Sequence, residues 1–191
     1  MMIFRFLVAL AFTFLVLSPA QAEDAYSNTI DLFKRSPVVQ PFFKNAYGYA
    51  VFPTIGKGGI GVGAAHGQGR VYRGGKVTGK TSMTQLTVGA QLGGQAISEI
   101  IFFQDKRAYS EFISGNFEFS AQASAVAITA GAQAQAGSEG AGASASGGGT
   151  AGMQAAKYHK GMAVFTHAKG GLMYEVTVGG QKFSFEPVGG K

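Results

Sequence analysis

Residues 58–67 read GGIGVGAAHG, in which glycine alternates with Ile60 and Val62 and Ala64 follows. Period-two spacing places one set of side chains on each face of a strand. Glycine at every second place strips one face of its side chains. Such a strand has no use for glycine unless another backbone comes close or the sheet must bend there. The rest of the chain extends the pattern. It has 30 glycines and 16 phenylalanines but no tryptophan, a composition that points to β structure with many tight approaches rather than to a helical bundle.

Two nucleotide-binding patterns overlap this region. Gly56, Gly58 and Gly61 satisfy G-x-G-x-x-G, and Gly74, Gly79, Lys80 and Thr81 satisfy the phosphate-loop pattern G-x-x-x-x-G-K-[ST]. Both motifs work by aiming the backbone N–H groups of a helix N-terminus at phosphate. Neither is followed by a helix signal. The first runs on as an alternating strand. After Thr81 the segment SMTQLTVGAQLG (82–93) places Thr84, Leu86, Val88, Ala90 and Leu92 on one face and Gln85, Thr87, Gly89 and Gln91 on the other. Gly89, Gly93 and Gly94 would each cost a helix ~1 kcal/mol relative to alanine. The sequence therefore predicts a turn at Gly74-Gly75, with Lys76 and Lys80 projecting charge beside it. A nucleotide is not expected there.

The N-terminus has the form of an export leader. Arg5 precedes twelve almost wholly apolar residues, Phe6 to Leu17, and Ala20-Gln21-Ala22 offers small residues where signal peptidase reads, so cleavage is expected before Glu23. The apolar run is shorter than the ~20 residues of a spanning helix. The remainder, 23–191, is expected to be a single exported domain, periplasmic or envelope-associated. It has no cysteine, which excludes a lipoprotein anchor, disulfides, thiolate metal sites and a thiol nucleophile.

Charge is distributed unevenly. Between Leu32 and Ser98 there are eight bases (Lys34, Arg35, Lys44, Lys57, Arg70, Arg73, Lys76 and Lys80) and no Asp or Glu. From Glu99 onward, seven bases meet seven acids. A one-sign surface attracts polyanions or an anionic membrane.

The remaining elements follow from period and punctuation. A helix is expected over 23–37, with Tyr26, Ile30 and Phe33 on one face and Pro37 ending it, and a second helical piece over Val39 to Lys44. Strands are expected at 45–53, 58–67, 69–75, 82–93, 95–103, 117–129, 161–168, 171–179 and 181–188. A helix over 105–115 is opened by Asp105 and closed by Gly115, with Tyr109 and Phe112 inward. Gly179-Gly180 is a two-residue hairpin signal. Residues 130–152, almost all Ala, Gly, Ser and Gln, read as a long flexible loop.

Catalytic chemistry finds little support. His66, His159 and His167 lack metal-like spacing, so neither a metal nor another cofactor is called for. No serine lies in G-x-S-x-G. Glu99 and Glu175, within strands, are expected to face solvent or to pair with a base.

Four blocks carry a family likeness: GYAVFPTIGKGGIGVGAAHGQGRVY (48–72), GAQLGGQAISEIIFF (89–103), GNFEFSAQASAVAITAG (115–131) and KGGLMYEVTVGG (169–180). Together they resemble the successive blocks of a SYLF domain. The resemblance implies an α+β fold, a curved, half-barrel-like antiparallel sheet packed on a few helices with a long Gly/Ala-rich loop. It also implies a non-enzymatic lipid-binding module. Eukaryotic members bind phosphoinositides and some fungal members associate with actin. In a bacterial envelope actin binding is not expected, and the headgroup would be phosphatidylglycerol, cardiolipin or a lipid A phosphate. From the charge map, the candidate headgroup contacts are Lys57, Arg70, Arg73, Lys76 and Lys80, with Lys34, Arg35 and an inserting Phe33 from the first helix. The competing expectations are an envelope component binding an acidic protein or glycan, and, remotely, a nucleotide hydrolase using Lys80. Export argues against nucleic acid as a partner.

Overall fold

A computed structural model describes residues 19–120, 126–128, 157–171 and 178–189. Most of the expected leader, the loop expected over 130–152 and most of the strand expected at 171–179 lie outside the described residues. The element order is α1 (Pro19–Lys34), α2 (Gln40–Asn45), β1 (Gly48–Arg73), β2 (Lys76–Phe103), α3 (Lys106–Phe112), β3 (Phe117–Glu118), β4 (Val126–Ile128), β5 (Met162–Gly171) and β6 (Lys182–Pro187).

The fold is α+β, with a curved, largely antiparallel sheet and three helices among the described residues. Its spine is one long hairpin, β1 paired with β2 from Gly48↔Phe103 to Arg73↔Lys76. The five strand segments expected between 45 and 103 are in fact two continuous strands. The glycines read as interruptions are strand residues, and the ladder absorbs them through register shifts at Phe52/Ile55, Ile60/Val62 and Val71/Tyr72. On its other edge β2 pairs with β6 at Gly79–Thr84 and with β5 at Gln95–Phe103. β3 pairs with β6, and β4 runs parallel to β5. Among the described residues of the strand expected over 117–129, Phe117–Glu118 and Val126–Ile128 are strand, and the Phe119 backbone bonds to Gln181 and Gly180.

The alternating glycines explain the curl. Residues twelve apart in a straight strand stand ~40 Å apart. Yet a Cβ on Gly67 would lie 2.6 Å from Ile55 Cγ1 and 3.0 Å from the Thr54 carbonyl oxygen. One on Gly69 would lie 2.6 Å from the Phe52 ring, and one on Gly48 2.6 Å from the Tyr72 carbonyl oxygen. The second half of β1 therefore folds over its own first half, and glycine is the only residue that fits at these approaches. The turn-over occurs where Gly58 pairs with Gly94 and Gly59 with Gly93.

Alternation divides the core in two. On the inner face Ala50, Phe52, Ile55, Val71, Met83, Ile97, Ile101 and Phe103 pack with Ala108, Tyr109 and Phe112 of α3. On the outer face Val51, Tyr72, Ile100, Phe102 and Phe165 pack under Ile30 and Phe33 of α1 and Val39 and Phe42 of α2. α3 is capped as its sequence predicts: the Asp105 carboxylate accepts from the Ala108 amide at 2.8 Å, and Gly115 has φ +83°. α1 begins four residues earlier than expected, so Glu23 and Asp24 sit in its second turn.

Candidate functional site

The turn at Gly74-Gly75 has φ of +56° and +76°, the left-handed region where glycine is unstrained. Strand follows it, and Thr81 is buried in β2 with its hydroxyl donating to the Ser184 carbonyl at 2.7 Å. The phosphate-loop match is thus a hairpin turn, with no helix N-terminus to receive a nucleotide.

The hairpin brings four of the candidate bases together. Arg73 and Lys76 are partners across the turn, and Arg70 and Lys80 are partners three rungs down. Arg73, Lys76 and Lys80 are exposed. Arg73 lies over the Tyr109 ring at 5.6 Å. Arg70 is otherwise engaged: it is paired with Glu23 of α1, hydrogen-bonded to Tyr72, and 4.3 Å from the centre of the Tyr26 ring. Lys80 faces Glu186 of β6 on its other side. Four charges therefore cross the outer face in the order Glu23, Arg70, Lys80, Glu186.

The other candidates lie elsewhere. Lys34 is exposed on α1, 3.8 Å from Asp31 and 5.8 Å from the Phe43 ring centre, and Arg35 is exposed just beyond the helix. Lys57 is half-buried near the bend, opposite Gln95. Phe33 is a correction: it is fully buried among the residues under α1 and α2, so it is core and has no free surface to insert into lipid.

Alternation along β2 sorts residues as expected, but the sides are the reverse of what polarity suggests. Gln85 is buried and Leu86 is 79 % exposed. Leu86 stands opposite Ala64, and its diagonal neighbour Val62 is 62 % exposed. Val188, 59 % exposed, lies at the other end, its amide donating to Thr78. The outer face of the hairpin thus carries Arg70 and Lys80 toward the turn and Val62 and Leu86 toward the bend, while Arg73 and its partner Lys76 lie on the side of Tyr109 and α3.

Glu99 is the residue that sequence reasoning misplaced. It does not face solvent: it is fully buried on the inner face, between Phe52 of β1 and Thr166 of β5. One carboxylate oxygen accepts from the Gln181 amide at 3.0 Å, while Oε1 meets no donor. Burial pushes its pKa up from 4.5 to about 7, against the Gln181 hydrogen bond and the nearby Lys57 charge, which pull it down. Nothing in a single sequence distinguishes an inward from an outward glutamate on a strand whose facing elements are unknown. Burial, with the Lys169 charge, lowers the pKa of His167, and His66 bonds to Gln68. Among the described residues no three His, Asp or Glu side chains are grouped so as to hold a metal. No described helix is long and apolar enough to cross a membrane.

No family model matches the chain. It is similar to "Beta cell expansion factor A" of Aeromonas veronii, at 29% identity over 157 residues. The match covers 81% of this chain and 51% of that protein, so the chain spans about half the length of the curated relative it matches.

Proposed function

We propose that the protein binds anionic, phosphate-bearing lipid headgroups without catalysis, at the bacterial envelope, as a peripheral module of the SYLF kind. The observation that carries the reading is the outer face of the hairpin. Val62 and Leu86 are exposed side by side on a span with no acid between Leu32 and Ser98, Lys80 is exposed on the same face toward the turn, and Arg73 and Lys76 are exposed at the turn's other side. Apolar side chains gain ~25 cal/mol per Å² on leaving water. Each cation adds ~1 kcal/mol near an anionic surface. A bilayer satisfies both at once. The leader supports delivery outside the cytoplasm, where phosphatidylglycerol, cardiolipin and lipid A phosphate are the available anions. The four sequence blocks that resemble a SYLF domain support the same assignment.

Flotation with vesicles of phosphatidylglycerol in phosphatidylcholine, against phosphatidylcholine alone, tests this across a salt series. The expected result is binding to the anionic vesicles that weakens as salt rises. Equal binding to both compositions, or binding indifferent to salt, contradicts the proposal. Capture of a stoichiometric acidic protein with no vesicle binding would support the envelope-interaction reading in its place.

A further inference from the structure

The row of four charges across the outer face poses a question. Arg70 and Lys80 stand opposite one another on neighbouring strands, where facing side chains have Cβ atoms ~5 Å apart and like charges repel. What makes the pair tolerable is an acid at each end, Glu23 and Glu186. Glu186 is fixed in β6. Glu23 arrives from outside the sheet, on α1, and its carboxylate lies on the solvent side of the guanidinium: Glu23 is 66 % exposed and Arg70 is 20 %. Arg70 is also oriented from below and beside by Tyr72 and Tyr26. This is a built receptor for an oxyanion, with an internal oxyanion in it.

α1 is constructed so that this end can come away. Its buried anchors, Thr29, Ile30 and Phe33, all belong to its second half. Ahead of them Glu23, Asp24, Ser27 and Asn28 are exposed, and the Ser27 hydroxyl donates to the helix's own backbone. Among the described side chains ahead of Thr29, Glu23 pairs with Arg70, and half-buried Tyr26 lies against both Arg70 and the outer core.

We infer that Arg70, Tyr72 and Lys80 form a phosphate subsite that α1 holds closed, with the Glu23 carboxylate occupying the position a phosphate oxygen takes. The inference rests on the lipid-binding reading above, naming the subsite within that face and its regulation. A phosphate group has the charge to displace a single carboxylate and enough oxygens to bridge Arg70 and Lys80, which one glutamate does not. Binding would release the first half of α1 and leave its second half anchored in the core.

The test compares wild type, Glu23→Gln, Asp24→Asn, Arg70→Gln and the Glu23→Gln/Arg70→Gln double variant. Each is purified after its leader has been removed in the cell. Two probes are used: phosphatidylglycerol vesicles and inorganic pyrophosphate. Asp24→Asn removes the same charge from the same helix turn without touching Arg70. Glu23→Gln should bind either probe about five-fold more tightly than wild type, the worth of one surface cation. Asp24→Asn should change little, and the double variant should bind no better than Arg70→Gln. In wild type, vesicles should speed amide exchange at Ser27 and Asn28, the first amides with helix acceptors in the mature chain, while 29–33 stay protected.

Equal gains from Glu23→Gln and Asp24→Asn would overturn the subsite, reducing it to net charge. So would a gain from Glu23→Gln that survives in the double variant. If vesicles of every composition are ignored, the lipid reading fails. Pyrophosphate binding by Glu23→Gln that is lost in the double variant then upholds a subsite for free phosphate, and no binding of either probe overturns both.

Discussion

Gln181 donates its side-chain amide to Glu99 at 3.0 Å, across 82 residues of sequence and in a site closed to solvent. The bond ties the turn before β6 to the last part of β2. Burial, against the downward pull of that bond, leaves Glu99 with a pKa of about 7 where an unfolded chain has 4.5. The folded state therefore binds this proton more tightly than the unfolded state. The resulting stability is fully present below about pH 4.5 and is lost as pH rises through about 7, a total of about 3 kcal/mol by linkage. Denaturant midpoints at pH 5 and pH 8 should show the wild type weaker at pH 8. Glu99→Gln should flatten that difference. His167, whose lowered pKa acts in the opposite direction as pH falls through 6.5, is common to both proteins and cancels in the comparison. A pH difference unchanged in Glu99→Gln would mean that the carboxyl is not the group responsible.

Phe33 is expected to matter for stability. Its ring is fully buried with Ile30, Val39 and Phe42 against Phe102 and Phe165. Phe33→Ala should cost about 3–5 kcal/mol, seen as a large drop in thermal midpoint. Charge variants of the exposed neighbours Lys34 and Arg35 should stay within about 0.5 kcal/mol of wild type. A stable Phe33→Ala protein with weakened vesicle binding would restore Phe33 as a membrane contact.

The folded-over strand makes some glycines replaceable and others not. A Cβ on Gly48 meets the Tyr72 carbonyl oxygen at 2.6 Å, a backbone atom with no rotamer to give way, whereas one on Gly56 meets nothing within 4 Å. Gly48→Ala should therefore lose about 1–3 kcal/mol, and Gly56→Ala should be nearly neutral in urea unfolding. Comparable losses at both positions would show that strand propensity, not close approach, sets the requirement for glycine.

The same contrast shows how much could be read in advance. Alternating glycine announced a strand that something approaches, and Gly74-Gly75 and Asp105 announced a turn and a cap, because each depends on local backbone geometry alone. That the approaching element is the strand's own first half is a long-range fact with no local trace. The sequence likewise separates Gln85 from Leu86 but does not say which one enters the core, since polarity gives the opposite answer. The basic span announced that Arg70, Arg73, Lys76 and Lys80 would gather, and they do so at the turn end of the hairpin, divided between its two faces. It gave no sign that Glu23, outside the acid-free stretch, would neutralise Arg70.

Leu86 bears most directly on the lipid proposal. At 79 % exposure on an outward strand position, it contributes little to the core. Leu86→Ser should change thermal stability by less than about 0.5 kcal/mol. If the outer face meets a bilayer, the same change removes an inserting side chain worth about 1–2 kcal/mol, a roughly ten-fold loss of vesicle affinity. That loss should persist at high salt, because an apolar contact is unscreened. Lys76→Ala should behave in the complementary way, weakening binding about five-fold at low salt and little at high salt. The two signatures separate insertion from attraction. Vesicle affinity indifferent to Leu86→Ser at every salt concentration would mean that the bend end of the hairpin does not touch the membrane, and that Val62 and Leu86 are exposed for some other contact.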